Sequence, residues 1–113
     1  MIWQLVVFVT VAVIIDLVLG YIKAWKNNDV SSVKMREGVI HKFTYFVEIG
    51  LCLILDYAAQ YMDIGVSVAN GFYIVVVTWI FLTEITSIIE NLIAINPKLE
   101  QSPLAHFFAK KED

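Results

Sequence analysis

Residues 11–25, VAVIIDLVLGYIKAW, decide the fold: the run is apolar enough to cross a membrane, yet it carries an aspartate, Asp16, inside it. An ionised carboxylate is costly to take out of water. Either the run does not lie in lipid, or Asp16 has a use.

Composition favours the membrane. The chain is 59% hydrophobic with a mean hydropathy of +0.74, whereas soluble globular domains are roughly 45–50% apolar. Three apolar runs account for the excess, at about residues 2–25, 43–61 and 64–83. Each is near the roughly 20 residues that a helix needs to cross a hydrocarbon core of about 30 Å. The first run has no basic residue before it and ends in Tyr21, Lys23 and Trp25 rather than a small-residue cleavage site, so it reads as a retained span. Cys52 stands alone in mid-span as a small hydrophobe, and His41 and His106 have no ligand spacing. No cofactor, metal or nucleic-acid partner is implied.

Basic residues set the orientation. All eight lie around the first connector (Lys23, Lys26, Lys34, Arg36, Lys42) or after the third run (Lys98, Lys110, Lys111). The positive-inside rule then places the N-terminus outside, with the connector 26–42 and the tail in the cytoplasm. The net charge of −3 says little, because distribution across the membrane is what matters.

The connector and its continuation, NNDVSSVKMREGVIHKF, open with turn formers and then space Val33, Arg36, Glu37, Ile40 and Phe43 as a helix would. A short interfacial helix is expected there, touching anionic head groups through Lys34, Arg36 and Lys42, unless it is a solvated linker whose charges only set topology. A third helix over residues 64–95 would be about 48 Å long and must project from the membrane. Past Thr83 it places Thr83, Glu84, Ser87, Glu90 and Asn91 on one side and Ile85, Ile88, Ile89 and Leu92 on the other. Pro97 ends it. In the tail, SPLAHFFAKKED, Ser102 caps a short helix that begins at Pro103, and Lys110 and Lys111 follow its apolar edge onto the inner leaflet. The expected fold is thus all-α and integral to the membrane. Residues 1–113 form a single membrane domain, with an amphipathic extension and tail over 84–113.

The polar residues inside the spans need partners. Ala12, Asp16, Gly20 and Ala24 recur on one face of the first span, opposite Val7, Val11, Ile14, Val18 and Trp25. Small residues let another backbone approach closely, so Asp16 points at protein or water. Thr44, Glu48, Cys52, Asp56 and Gln60 repeat the arrangement in the second span. Counting from the cytoplasmic ends puts Asp16 and Glu48 each roughly 8–10 Å inside the boundary, Glu84 near it, and Asp56 and Asn70 toward the outer side. The acids of the inner half are carried neutral, paired with Lys23 or Lys42, or wetted in a cavity. The plainer alternative is that they anchor helix to helix by hydrogen bonds.

Two segments carry a resemblance. Residues 16–43, DLVLGYIKAWKNNDVSSVKMREGVIHKF, resemble the Asp-x-x-x-Gly span, Asn-rich turn and Gly-x-x-x-Lys connector of the bacteriophage holin family, which includes clostridial toxin-secretion holins. Residues 83–99, TEITSIIENLIAINPKL, are similar to that family's second signature, an acidic residue followed by Ser-Ile, Glu-Asn-Leu and a later proline. One departure is IAINPKLEQSP, which lacks a glycine before the proline. The resemblance implies a membrane protein that self-associates and at a set time permeabilises the cytoplasmic membrane. An endolysin, or a large toxin, then passes without needing to bind it.

On that reading Asp16, Gly20, Ala24, Glu48, Asp56, Glu84, Glu90 and Asn91 serve self-association or line the lesion. Lys34, Arg36, Lys42, Lys110 and Lys111 meet lipid head groups. No enzyme is implied, since no nucleophile, base and orienting group share a plausible site. Two rivals are a small proton-coupled exporter and an accessory subunit docking through Gly20, Ala24, Gly65 and Ala69. The exporter class has four spans where three runs are found here, and its acid lies in the first span.

Overall fold

The computed structural model describes residues 2–62 and 71–108. Three long helices dominate it: α1, Ile2–Lys26; α2, Ser32–Ala59; and α3, Gly71–Ile95. All three are long and apolar enough to cross a membrane. At 1.5 Å per residue they run about 37, 42 and 37 Å, more than the hydrocarbon thickness of about 30 Å.

Local chemistry explains the ends. The Asp29 amide donates to the Ala24 carbonyl at 2.8 Å and the Asn28 amide to Trp25 at 3.2 Å, the paired bonds of a Schellman stop. Asn28 takes the left-handed position at φ 55°, which Asn tolerates better than most residues. Ser31 then caps α2, its hydroxyl accepting from the Lys34 amide at 3.3 Å. Past that cap nothing breaks the helix, since isolated glycines such as Gly38 and Gly50 are tolerated inside it. The expected interfacial helix is therefore not a separate element but the opening turns of α2.

α3 continues beyond Thr83 to Ile95, as expected. Its start at Gly71 falls inside the run assigned to the span, and residues 64–70 lie outside the described residues. The Lys26 ammonium donates to the carbonyls of Ile95 at 2.7 Å and Ala94 at 3.3 Å, so α1 and α3 end level to within a lysine's reach. A cation at a helix C-terminus answers both unpaired carbonyls and the helix dipole. The polar stretch of α3 thus runs alongside α1 instead of standing clear of it.

Beyond Ile95 the chain makes a 3₁₀ turn, Pro97–Gln101, and a short helix α4, Pro103–Phe108, both folded back on α3. The Ser102 hydroxyl accepts from the Ala105 amide at 3.2 Å, the cap its sequence promised. Ala105 is buried, while Leu104 and Phe107 are exposed.

α3 is the central element. α1 and α2 both pack chiefly on it and touch each other little. The core between them holds Val9, Val13, Tyr45, Ile49, Cys52, Tyr73, Val77 and Ile80. Outward-facing Val7, Val11, Ile14, Val18, Val75, Trp79 and Leu82 are exposed, as lipid contact requires. Exposed Tyr21 and Trp25 mark one end and exposed Tyr57 and Tyr61 the other, where interfacial aromatics belong.

Candidate functional site

Asp16 stands on the small-residue face of α1, and α3 presents Glu84, Ser87 and Asn91 to it at helical spacing. One Asp16 oxygen accepts from the Asn91 amide at 2.7 Å and the Ser87 hydroxyl at 2.9 Å. The other accepts from the Lys42 ammonium at 2.7 Å and again from Ser87 at 3.0 Å. Lys42, reaching in from α2, also donates to Glu84 at 2.7 Å. Asp16 is 6% exposed and Glu84 1%, so one half-buried ammonium serves two buried carboxylates and ties three helices together.

Such a group is stable only when its charges are both paired and hydrogen-bonded, because desolvating each ion costs several kcal/mol. Here they are: among the described residues no buried side-chain nitrogen or oxygen lacks a partner. With all three groups ionised the cluster carries one net negative charge. Protein dipoles from Ser87 and Asn91 offset part of it.

The cluster is not sealed. Because α1 and α2 barely touch, a half-open crevice of about 460 Å³ lies between them. Its rim is Lys23, Asn27, Asp29, Ser31 and Lys34, and its floor is Asp16, Lys42 and Asn91. Gly20, Ala24 and Gly38 line it, leaving the space that larger side chains would fill. A carboxylate in the interior of a span is thereby both paired and reachable from a polar rim.

The sequence-derived candidates fall into groups. Asp16, Glu84 and Asn91 meet in the cluster, with Gly20 one turn along: a Cβ there would lie 3.9 Å from the Asn91 amide nitrogen. Ala24 lines the crevice. Asp56 lies elsewhere, its carboxylate accepting from the Phe72 and Tyr73 amides at 3.2 and 3.0 Å. It caps the first turn of α3, where unpaired N–H groups and the helix dipole favour an anion.

Glu48 and Glu90 are exposed. Glu48 lies six residues, about 9 Å, farther along α2 than Lys42, whose ammonium reaches Asp16. An ionised carboxylate facing lipid near mid-span costs about 2.5–3.5 kcal/mol on insertion scales.

Among the lysines, Lys42 is committed to the two acids rather than to head groups, and Lys34 pairs with Asp29 at 3.1 Å on the surface. Arg36 is exposed, and Lys110 and Lys111 lie outside the described residues.

Two functions of these side chains were missed in the sequence: Ser87 as a donor to Asp16, and Lys26 as the cap of α3. Ser87 was visible only as one member of a polar face, and nothing local signals the Lys26 contact across about 70 residues of chain.

A family model described as the bacteriophage holin family matches residues 1–104. No curated protein and no solved structure matches the chain. The family match takes in all three spans and the whole polar cluster from Asp16 to Asn91, and the chain belongs to the bacteriophage holin family.

Proposed function

We propose that this multi-pass membrane protein is a holin that accumulates in the bacterial cytoplasmic membrane, self-associates, and at a set time permeabilises it without catalysis. An endolysin or a large toxin then crosses. The N-terminus faces outward and the connector and tail inward, as the confinement of the basic residues to two segments supports. Arg36, Lys110 and Lys111 meet inner-leaflet head groups in this arrangement.

The observation that carries the reading is the buried Asp16–Lys42–Glu84 cluster at the foot of a polar crevice. Pairing Asp16, Lys42 and Glu84 inside one chain keeps these charges off the lipid-facing surface, so the single protein is quiet. Separating the helices exposes Asp16, Glu84 and Asn91 together, with Gly20 and Ala24 beside them. Those faces are too costly to leave against lipid and are served by water or by neighbouring copies. The cluster is thus the closed form of a lesion lining, and Glu90, exposed near the end of α3, meets a neighbouring copy.

Liposomes bearing the purified protein and loaded with dyes of graded size test this. The wild-type protein is expected to release them, and Asp16→Leu to insert equally well but release little. Insertion without any leakage by the wild type would leave an exporter that passes only its substrate or an accessory subunit. Normal leakage by Asp16→Leu would remove Asp16 from the lining.

A further inference from the structure

Of the lysines lining the crevice between α1 and α2, Lys42 is held by Asp16 and Glu84, and Lys34 by Asp29. Lys23 is half-buried beside them, yet it makes no ion pair and no side-chain hydrogen bond with any described residue. A cation drawn partly out of water without a counter-charge favours an anion beside it. We propose that the crevice seats the phosphate of one anionic phospholipid, with Lys23 as its chief contact and the glycerol and upper acyl chain lodged between α1 and α2. This built site is separate from the surface contacts of Arg36 and the tail, and it does not depend on what the protein releases.

Charge is the first observation. On the rim, Lys23, Lys34 and Asp29 sum to one positive charge, which a phosphodiester neutralises. The Ser31 hydroxyl accepts from the Lys34 amide and keeps its own proton to donate, and the Asn27 side chain lies on the same rim. The Lys34–Asp29 pair is more than 60% exposed on both sides, and a pair of that kind is weak enough for Lys34 to turn to a second anion. The floor has the opposite sign. Its net negative charge on Asp16, Lys42 and Glu84 begins seven residues along α1 from Lys23, about 10 Å deeper, and so keeps a bound anion at the rim.

Shape is the second. Asp16, Gly20, Lys23 and Asn27 run down the α1 side of the crevice, and Ser31, Lys34, Gly38 and Lys42 down the α2 side. Both sides are polar at the rim, bare at the glycines and ionic at the floor. A Cβ at Gly38 would meet no heavy atom within 4 Å, so the middle of the slot is open, and its volume of about 460 Å³ falls within the ~300–1,000 Å³ of ligand pockets. Position is the third. Exposed Tyr21 and Trp25 set the rim at the membrane boundary, and Leu17, Met35 and Val39 give the crevice apolar walls. A soluble phosphate has no use for such walls, whereas a lipid phosphate lies at this level with its chains attached, and basic pockets between spans suit it.

Lipid retention tests the site. The full chain in an uncharged detergent is given phosphatidylglycerol or phosphatidylcholine with the same acyl chains, and bound lipid per chain is counted by mass spectrometry of the intact complex. One phosphatidylglycerol is expected to be retained several-fold more strongly than phosphatidylcholine. Lys23→Gln and Gly38→Leu should each lose most of that preference, while Arg36→Gln and Gly50→Leu, which lie off the crevice, keep it. Equal retention of the two lipids, or wild-type retention by Lys23→Gln, would overturn the proposal. So would displacement of the lipid by equimolar glycerol phosphate, which assigns a soluble phosphate as the ligand. If Lys23 served only to balance the floor, Lys23→Gln would lower the unfolding temperature without lipid. A lipid site predicts that it lowers only the rise that phosphatidylglycerol brings. Dye release by a protein that retains no lipid rejects the site and leaves the holin reading standing, and retention without dye release does the reverse.

Discussion

At the scale of single residues, Lys42 is the side chain on which the others depend, because among the described residues it is the cation paired with both Asp16 and Glu84. Removing one partner from a buried charge group leaves the rest uncompensated, at about 3–5 kcal/mol. Lys42→Met is therefore expected to lower the thermal unfolding temperature in detergent sharply. Adding Glu84→Gln and Asp16→Asn to it should recover most of the loss. Lys34→Ala serves as the contrast. It breaks an ion pair exposed by more than 60% on both sides, of a kind worth about 0–1 kcal/mol, and should leave unfolding nearly unchanged. Gly20 makes a graded test of the same cluster. A methyl group there meets the Asn91 amide at an ordinary contact distance of 3.9 Å, so Gly20→Ala should unfold and permeabilise like the wild type. Gly20→Leu has no such room and should push Asn91 off Asp16, allowing insertion but altering dye release.

Among the elements, α3 owes both its ends to other helices. Asp56 of α2 holds the first turn and Lys26 of α1 the last two carbonyls. Losing a side-chain cap costs about 0.5–2 kcal/mol, and the loss should appear first where the cap acts. In Asp56→Ala, hydrogen exchange at the Phe72 and Tyr73 amides is expected to accelerate while amides in the middle of α3 stay protected. Unchanged exchange at those two positions would mean that the carboxylate does not hold them in the membrane. The helix α2 shows how an element hides its own extent. Lys34 to Lys42 looked like a separate surface helix because its composition is polar, but helix continuity is decided by backbone breakers, and one glycine is too weak a breaker.

For the whole molecule, three spans with basic residues confined to the first connector and the tail predict one topology. On a Cys52→Ala background, Tyr61→Cys should react with an impermeant thiol reagent applied outside intact cells, and Lys98→Cys only after the inner face is opened. Labelling of Tyr61→Cys solely from the cytoplasm would invert the arrangement and move the crevice mouth, with Lys23 and Lys34, to the outer face. The shared Lys26 contact and the Asp16 cluster hold α1 to α3 along their length, while Lys42 and Asp56 tie α2 to the other helices at two levels.

The sequence by itself determined the class, the three spans, the stop at Pro97, the cap at Ser102 and the fact that Asp16 had to face protein or water. These follow from hydropathy, helical period and local capping, all encoded within a few turns of chain. It also showed Glu84, Ser87 and Asn91 sharing a face, and named Lys42 as one of two possible cations. What it left open was the partner of each face. A helical period fixes which residues point together but not toward what, and the contacts that settle it join Asp16 to Lys42 across 26 positions and to Asn91 across 75. Only the packing of α1 and α2 on α3 turned the small-residue face inward, chose Lys42 over Lys23, and gave Asp56 to the start of α3. The same packing decided that Glu48, 100° or less from buried neighbours on its own helix, looks out of the chain.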